Sequence, residues 1–251
     1  MAIRKFTDVD FSQGCHAGLG LLESGVAVMR GTDADVDYHL LGSPPEYFEF
    51  SSSGTNTEIV FKKGTVGVAP PITAGTNIGG EMTQGIGAVG KQIFTVGTDP
   101  AFFFSVKLQL ATLADYDLLT VGFRGKATTG MEDYQVIANI DTPAELLTRY
   151  DSLAAINHET TVLHSVFRSA AGTGVDTTST TALVAATAAT LTVKVSAAGL
   201  CTFFKDGTEL QGMVSSPMAT GTIVGPWLYM VRNGTGTVGT LQLIRWTCGY
   251  Q

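Results

Sequence analysis

The sequence predicts an all-β protein, a sandwich or jelly roll of ten or more short strands, and three observations carry that expectation. First, residues 191–251 hold two runs of β-branched and aromatic residues, LTVKVSAAGLCTFFKDGTELQG and GPWLYMVRNGTGTVGTLQLIRWTCGYQ, each split by a turn pair, Asp206-Gly207 and Asn233-Gly234. Asp and Asn tolerate positive φ and Gly has no Cβ to clash, so both pairs suit the primed turns that match strand twist in a hairpin. Second, Phe104, Val106, Leu108 and Leu110 alternate with Ser105, Lys107 and Gln109, the period of a half-buried strand. Third, only one segment has the marks of a helix, so the layers must be built from sheet.

In chain order, residues 1–55 read as irregular: one apolar stretch, Leu19–Met29, lies between turn-rich and acidic sequence and is followed by SPPEYFEFSSSG. TEIVFKKG from Thr57 predicts a strand with Ile59 and Phe61 on one face. Residues 64–90 contain a Pro pair and many Gly with no period of either kind, which predicts a long loop packed on a neighbouring molecule. Strands follow in KQIFTVG, AFFFSVKLQLATL, DLLTVGFRG and YQVIANI. TPAELLTRYDSLAAIN is the helix candidate, because Thr142 can cap, Pro143 suits the first turn and Glu145 completes a capping box. Residues 160–168 and 190–195 are further strands around a Thr/Ala-rich loop. One main domain is expected, residues 57–251, preceded by an N-terminal arm with loops at 1–56.

Composition narrows the partners. Of 251 residues only 15% are charged, mean hydropathy is +0.22, and the formal net charge is −7. A typical soluble domain carries roughly 25% charged residues. A surface so poor in charge keeps monomers apart badly, which predicts coverage by other subunits, a homo-oligomer. The acid is concentrated at the front, where residues 1–50 hold eight carboxylates against three cations. No basic run exceeds Lys62-Lys63, which argues against nucleic acid, since phosphate binding needs clustered Lys and Arg. The opening MAIRKFTDVDFSQG lacks the apolar core of a secretory signal, and no run approaches the ~20 apolar residues of a membrane helix, so neither export nor a membrane is expected. Cys15, Cys201 and Cys248 are an odd, scattered set that fits buried free thiols.

The motifs for chemistry are weak. GIGAVGKQ at Gly85–Gln92 contains GxGxxG and approaches a phosphate-binding loop, but a strand should precede it and a helix follow; here the β-branched KQIFTV follows. Asp33, Asp35 and Asp37 have the odd-position carboxylates of a calcium loop and are the candidate metal ligands. Tyr38 stands where that loop needs Gly and Pro44 where it needs Glu, so an exposed acidic turn fits better and no cofactor is expected. No Glu-x-Asp-x-Glu strand occurs to place two carboxylates across a sugar, and Glu132-Asp133 fall on opposite strand faces; the chain is expected not to be an enzyme. His16, His39, His158 and His164 lack metal spacing and read as structural or surface residues. Trp227, Tyr229 and Trp246 could stack on sugars from a concave sheet, although alternation favours core packing for Trp246, between Ile244 and Cys248. Asn233-Gly-Thr235 matches a glycosylation sequon but coincides with the turn.

From residue 90 onward the order of pieces resembles the concanavalin A-like jelly rolls of tailed-bacteriophage structural proteins. TDPAFFFSVKL, DLLTVGFRG, RYDSLAAIN, LTVKVSAAGLCTFFKDGTEL and PWLYMVRNGTGTVGTLQLIRWTCGYQ carry the likeness, and all are structural motifs. The resemblance implies a virion protein made in the host cytoplasm. Its implied role is a capsid decoration or cement subunit that binds the major capsid protein and stabilises the lattice by mass action. The alternative it leaves is a glycan-binding module of a tail fibre or head surface.

Overall fold

In the computed structural model the described residues are 94–110, 112–113, 118–125, 152–159, 162–169, 174–210, 217–232 and 240–251, with strand segments at 6–10, 26–31, 37–41, 48–53, 57–62, 71–73 and 84–90. The N-terminal strands are β1 (Phe6–Asp10), β2 (Val26–Gly31), β3 (Asp37–Leu41), β4 (Phe48–Ser53), β5 (Thr57–Lys62), β6 (Pro71–Thr73), β7 (Gln84–Gly90) and β8 (Phe94–Thr95). Then come β9 (Phe102–Leu110), β10 (Leu118–Gly125), β11 (Leu153–Glu159), β12 (Val162–Arg168) and β13 (Val175–Thr178). The last are β14 (Ala189–Val195), β15 (Cys201–Lys205), β16 (Thr208–Glu209), β17 (Ile223–Arg232) and β18 (Thr240–Tyr250).

These strands make two antiparallel sheets. Sheet I runs β16-β15-β14-β9-β18-β6-β5-β2, with β1 also on β18; sheet II runs β13-β12-β11-β10-β17-β7-β4-β3, with β8 also on β17. Alternation puts Phe102, Phe104, Val106, Leu108 and Leu110 of β9 and Leu191, Val193 and Val195 of β14 into the interior, against Leu119, Val121 and Phe123 of β10 and Ile156 of β11. Aromatic rings lock the layers: Phe94 stacks on Phe102 at 4.6 Å between centroids, Phe102 meets Phe123 edge-on at 5.1 Å, and Phe104 lies 4.4 Å from Trp246. Cys201 and Cys248 are buried free thiols in this core, and burial raises the Cys201 thiol to about 12.

Asp206 (φ 50°) and Gly207 (φ 79°) form the expected two-residue turn, joining Lys205 to its partner Thr208. The Asp206 carboxylate also accepts from the Thr190 amide at 2.7 Å, which ties the turn to β14. That amide and Lys205 hold the Asp206 carboxyl below its usual value against the opposing effect of desolvation, the largest single contribution.

The Asn233-Gly234 hairpin is corrected: β17 and β18 lie in different sheets. Each is flanked on both edges by other strands, β17 by β10 and β7 with β8, β18 by β9 and β6 with β1, so neither has an edge for the other. The long loop at 64–90 is corrected too, since it contains β6 and β7. The glycine-rich β7 lies between β17 and β4, with Gly87 opposite Tyr229, Val89 opposite Trp227 and Gly90 opposite Phe48. Pairing along both edges, with β17 and β4, makes this segment strand in spite of its poor strand propensity. Within the stretch read as irregular, β1 to β4 are strands.

The helix candidate fails over its second half. Leu153–Asn157 lie in β11, hydrogen-bonded between β10 and β12 and buried on both faces; its capping residues Thr142, Pro143 and Glu145 lie outside the described residues, as does YQVIANI. In β18 a bulge between Leu243 and Arg245 adds one residue, so Leu243 and Trp246 share the core face and Ile244 does not.

Candidate functional site

The two sheets differ on their outer faces. On sheet I, Ser105, Thr192, Lys194, Phe204 and Thr247 are half-buried and Lys107 and Arg245 exposed, an ordinary solvated face where Ser105 bonds Thr192 at 2.8 Å and Lys194 sits 4.7 Å over Phe204. On sheet II the centre is buried on both sides. β10 shows no open position until Gly125, and β11 none from Leu153 to His158. Its outer side nonetheless carries the polar or amphipathic Thr120, Arg124, Asn157 and Trp227 among apolar residues, and a buried polar group must be satisfied or it costs stability.

Register organises that face. Residues directly opposite in antiparallel strands share a face, so Tyr38, Ser51, Gly87, Tyr229, Thr120, Asn157, His164 and Thr178 form one row across eight strands. Thr120 donates to Asn157 Oδ1 at 2.6 Å with both residues fully buried. The carboxamide oxygen is thereby engaged on the β10 side, while Asn157 Nδ2 is buried with no hydrogen-bond partner. At the open end of the row His164 Nδ1 lies 3.0 Å from Asp176 Oδ1 and 3.4 Å from Thr178 Oγ1. There the side chains reach solvent, His164 14% and Asp176 32% exposed.

The adjacent row contains Trp227, Gly122, Ala155, Val166 and Asp176. A Cβ on Gly122 would run into the Ala154 carbonyl oxygen and Ala155, so only glycine lets β10 and β11 approach this closely. One strand step further, the Arg124 guanidinium lies 5.7 Å from the Trp227 ring centre. The inner side of β11 holds His158, fully buried opposite Leu119 and Leu163; burial, then the nearby His164, lowers it to about 4, so this imidazole is neutral.

The residues singled out from sequence separate clearly. Trp246 is in the core, whereas Trp227 is buried on the outer side of sheet II, outside the core cluster; Tyr229 lies in β17 opposite Thr120 and Gly87. Gly85–Gly90 is strand, which removes the phosphate-loop reading. Asp33 and Asp35, like Cys15, His16, Glu132 and Asp133, lie outside the described residues; Asp37 begins β3 opposite Ser52, and His39 is in the same strand. Among the described residues no group of His, Cys, Asp and Glu is placed to hold a metal. Thr120, Asn157, Arg124 and Asp176 were not found from sequence. The available signal was Thr120 and Arg124 at alternate positions of an otherwise apolar run, LLTVGFRG.

No family model and no curated protein matches this chain. Solved structures do. The carbohydrate recognition domain of Emp47p is similar at 10% identity with a TM-score of 0.54, covering 92% of this chain and 99% of its own. The lectin UEA-II, solved with galactose, is similar at 8% identity with a TM-score of 0.50, covering 98% of both chains. The chain folds as a concanavalin A-like jelly roll. An alginate lyase from Pseudomonas aeruginosa is also similar, at 9% identity and a TM-score of 0.45, covering 66% of this jelly roll and 73% of its own chain. The first two likenesses support the jelly-roll part of the resemblance seen in the sequence; its bacteriophage part has no support in them.

Proposed function

We propose that this jelly roll is a glycan-binding module whose ligand contacts the outer face of sheet II at the solvent-open end of the row, where His164 and Thr178 meet Asp176 of the adjacent row. The observation that carries the reading is the row itself, polar from β10 to β13 where a structural sheet face would be apolar or freely solvated. Sugars are recognised by planar amide, imidazole and carboxylate groups that hydrogen-bond hydroxyls and by aromatic rings beneath their apolar faces. His164, Asp176 and Thr178 supply the first set at the solvent-open end of the row. The two likenesses with TM-scores of 0.50 or more, a carbohydrate recognition domain and a lectin, favour the same reading, as analogy of fold.

A glycan array with the full chain tests it, with reducing ends assayed so that cleavage is seen if it occurs. Binding to at least one glycan class, lost in His164→Ala and Asp176→Ala, is expected. A blank array with correctly folded protein sinks the reading.

The phage reading is the second, favoured by the strand motifs from residue 98 onward and by the charge-poor surface. In it the module is a virion structural protein made in the host cytoplasm, a homo-oligomer on the head or tail. In its capsid-decoration form the major capsid protein is the partner and residues 1–56 reach neighbouring subunits. Copy number per purified particle separates these: hundreds mean a lattice component, tens mean a tail position, and none removes the virion.

A further inference from the structure

Sheet II ends at β13, and that edge is open. β13 is the last strand in the sheet order, pairs with β12 on one side, and has Val175, Asp176 and Thr178 exposed. The Ser179 amide donates to the Leu163 carbonyl, next to β12 residue His164, at 2.9 Å. Main-chain groups point to alternate sides along a strand, so Val175 and Thr177 also turn theirs to β12, while Asp176 and Thr178 turn theirs outward. Natural sheets blunt such edges with Lys, Pro or a bulge. β13 holds neither Lys nor Pro, and Val175, Thr177 and Thr178 are β-branched residues that favour extended chain. Its one charge, Asp176, has Oδ1 on His164 Nδ1 at 3.0 Å, which leaves Oδ2 without a partner among the described residues.

We infer that β13 is a homodimer edge: the second copy's β13 pairs with it antiparallel about a two-fold axis at Thr177, so that sheet II runs on from one copy into the other. The register follows from the ladder and from charge. Outward-facing residues must oppose outward-facing ones to exchange both main-chain bonds. An axis at Asp176 sets two carboxylates directly opposite, which is destabilising. An axis at Thr178 pairs Asp176 with Thr180, past Ser179, where the ladder is irregular because Leu163 accepts from the Ser179 amide but donates to the Thr181 carbonyl. An axis at Thr177 sets each Asp176 opposite the second copy's Thr178, a hydroxyl donor for the unengaged Oδ2, and Val175 opposite Ser179. The strand is thus its own complement, in a chain with only 15% charged residues to keep copies apart. So short a strand buries less than the roughly 1,200–2,000 Å² of a stable interface, and association is weak and concentration-dependent. The interface stands without the glycan-binding reading; with it, the solvent-open ends of two copies adjoin, and each copy's Thr178 completes the other's site.

The test is sedimentation equilibrium of the full chain over a concentration series, with cysteine cross-linking to read the register. The parent is expected to pass from monomer to dimer as concentration rises. Thr177 faces its own counterpart across the axis as a non-hydrogen-bonded pair, with Cα atoms about 4.5 Å apart and within disulfide reach. Val175 lies roughly 13 Å along the strand from its counterpart, out of reach. Thr177→Cys is therefore expected to form disulfide-linked dimer under mild oxidation at least about tenfold faster than Val175→Cys. The parent, whose Cys201 and Cys248 are buried, is the blank. Thr178→Pro removes an outward N–H that the ladder with β12 does not use, and is expected to stay monomeric throughout the series. Thermal melts establish that each variant is folded; should Thr178→Pro fail to fold, the cysteine pair decides.

A parent that stays monomeric to about 1 mM overturns the inference. Equal cross-linking of the two cysteine variants, or none in either, overturns the two-fold pairing at Thr177. A dimer undiminished in folded Thr178→Pro overturns the assignment to this edge. None of these outcomes depends on sugar, so the glycan array decides the glycan-binding reading separately.

Discussion

Thr120 on β10 and Asn157 on β11 stand directly opposite each other, fully buried, and share a 2.6 Å hydrogen bond on the side of the sheet that faces away from the hydrophobic core. Their bond joins two neighbouring inner strands of a row that begins at Tyr38 and ends at Thr178. Its energetics follow from desolvation. A buried pair of this kind stabilises modestly, but either partner alone is costly.

Thr120→Val keeps the shape and removes the donor, leaving Asn157 Oδ1 buried and unpaired. It is expected to destabilise by about 1–3 kcal/mol, whereas Thr120→Val with Asn157→Leu costs less than the two single changes added. Denaturant unfolding of the four proteins gives the coupling; strict additivity would show that the bond contributes nothing.

His164→Ala and Asp176→Ala act at the solvent-open end, where their 3.0 Å pair is partly exposed. Each is expected to change stability by less than about 1 kcal/mol, because exposed ion pairs contribute little. Glycan binding should be lost in each. Loss of folding instead of affinity would make this end of the row structural.

His158 makes stability fall in acid. Its folded value is about 4 against 6.5 in the unfolded chain, so the unfolded state binds the proton first. The contribution is complete above pH 6.5 and is lost as pH falls toward 4, at a slope of about 1.4 kcal/mol per pH unit. His158→Gln removes the titration, so its melting temperature should vary less over that window. Parallel curves for the two proteins would place the acid sensitivity elsewhere.

Gly122→Ala forces a methyl into the Ala154 carbonyl and Ala155, both backbone-anchored and unable to swing aside. A loss of about 1–3 kcal/mol is expected, the usual range for overpacking. Val121→Ala, one residue away on the core side, should cost a similar amount by leaving a cavity. A melt of Gly122→Ala within 1 °C of the parent would mean that β10 and β11 can separate without penalty.

The sequence by itself determined the all-β class, the core strands β9, β10, β12 and β14, and the Asp206-Gly207 turn. Each of these is local: period-two alternation and positive-φ residues act within a few positions of the chain. What lay beyond that range was decided by tertiary structure. Asn233-Gly234 has the chemistry of a hairpin turn, yet it lies between strands of opposite sheets because the edges of both are already occupied. Gly85–Gly90 is a poor strand by propensity and becomes one because β17 and β4 pair with it along both edges. Leu153–Asn157 reads as the end of a helix and is fixed as strand by hydrogen bonds from both sides. The candidate site follows the same division. Thr120, Asn157, His164 and Thr178 are spread over 59 residues of sequence, and only the register of four strands brings them into one row, since cross-strand pairing has no signature in the local order of residues.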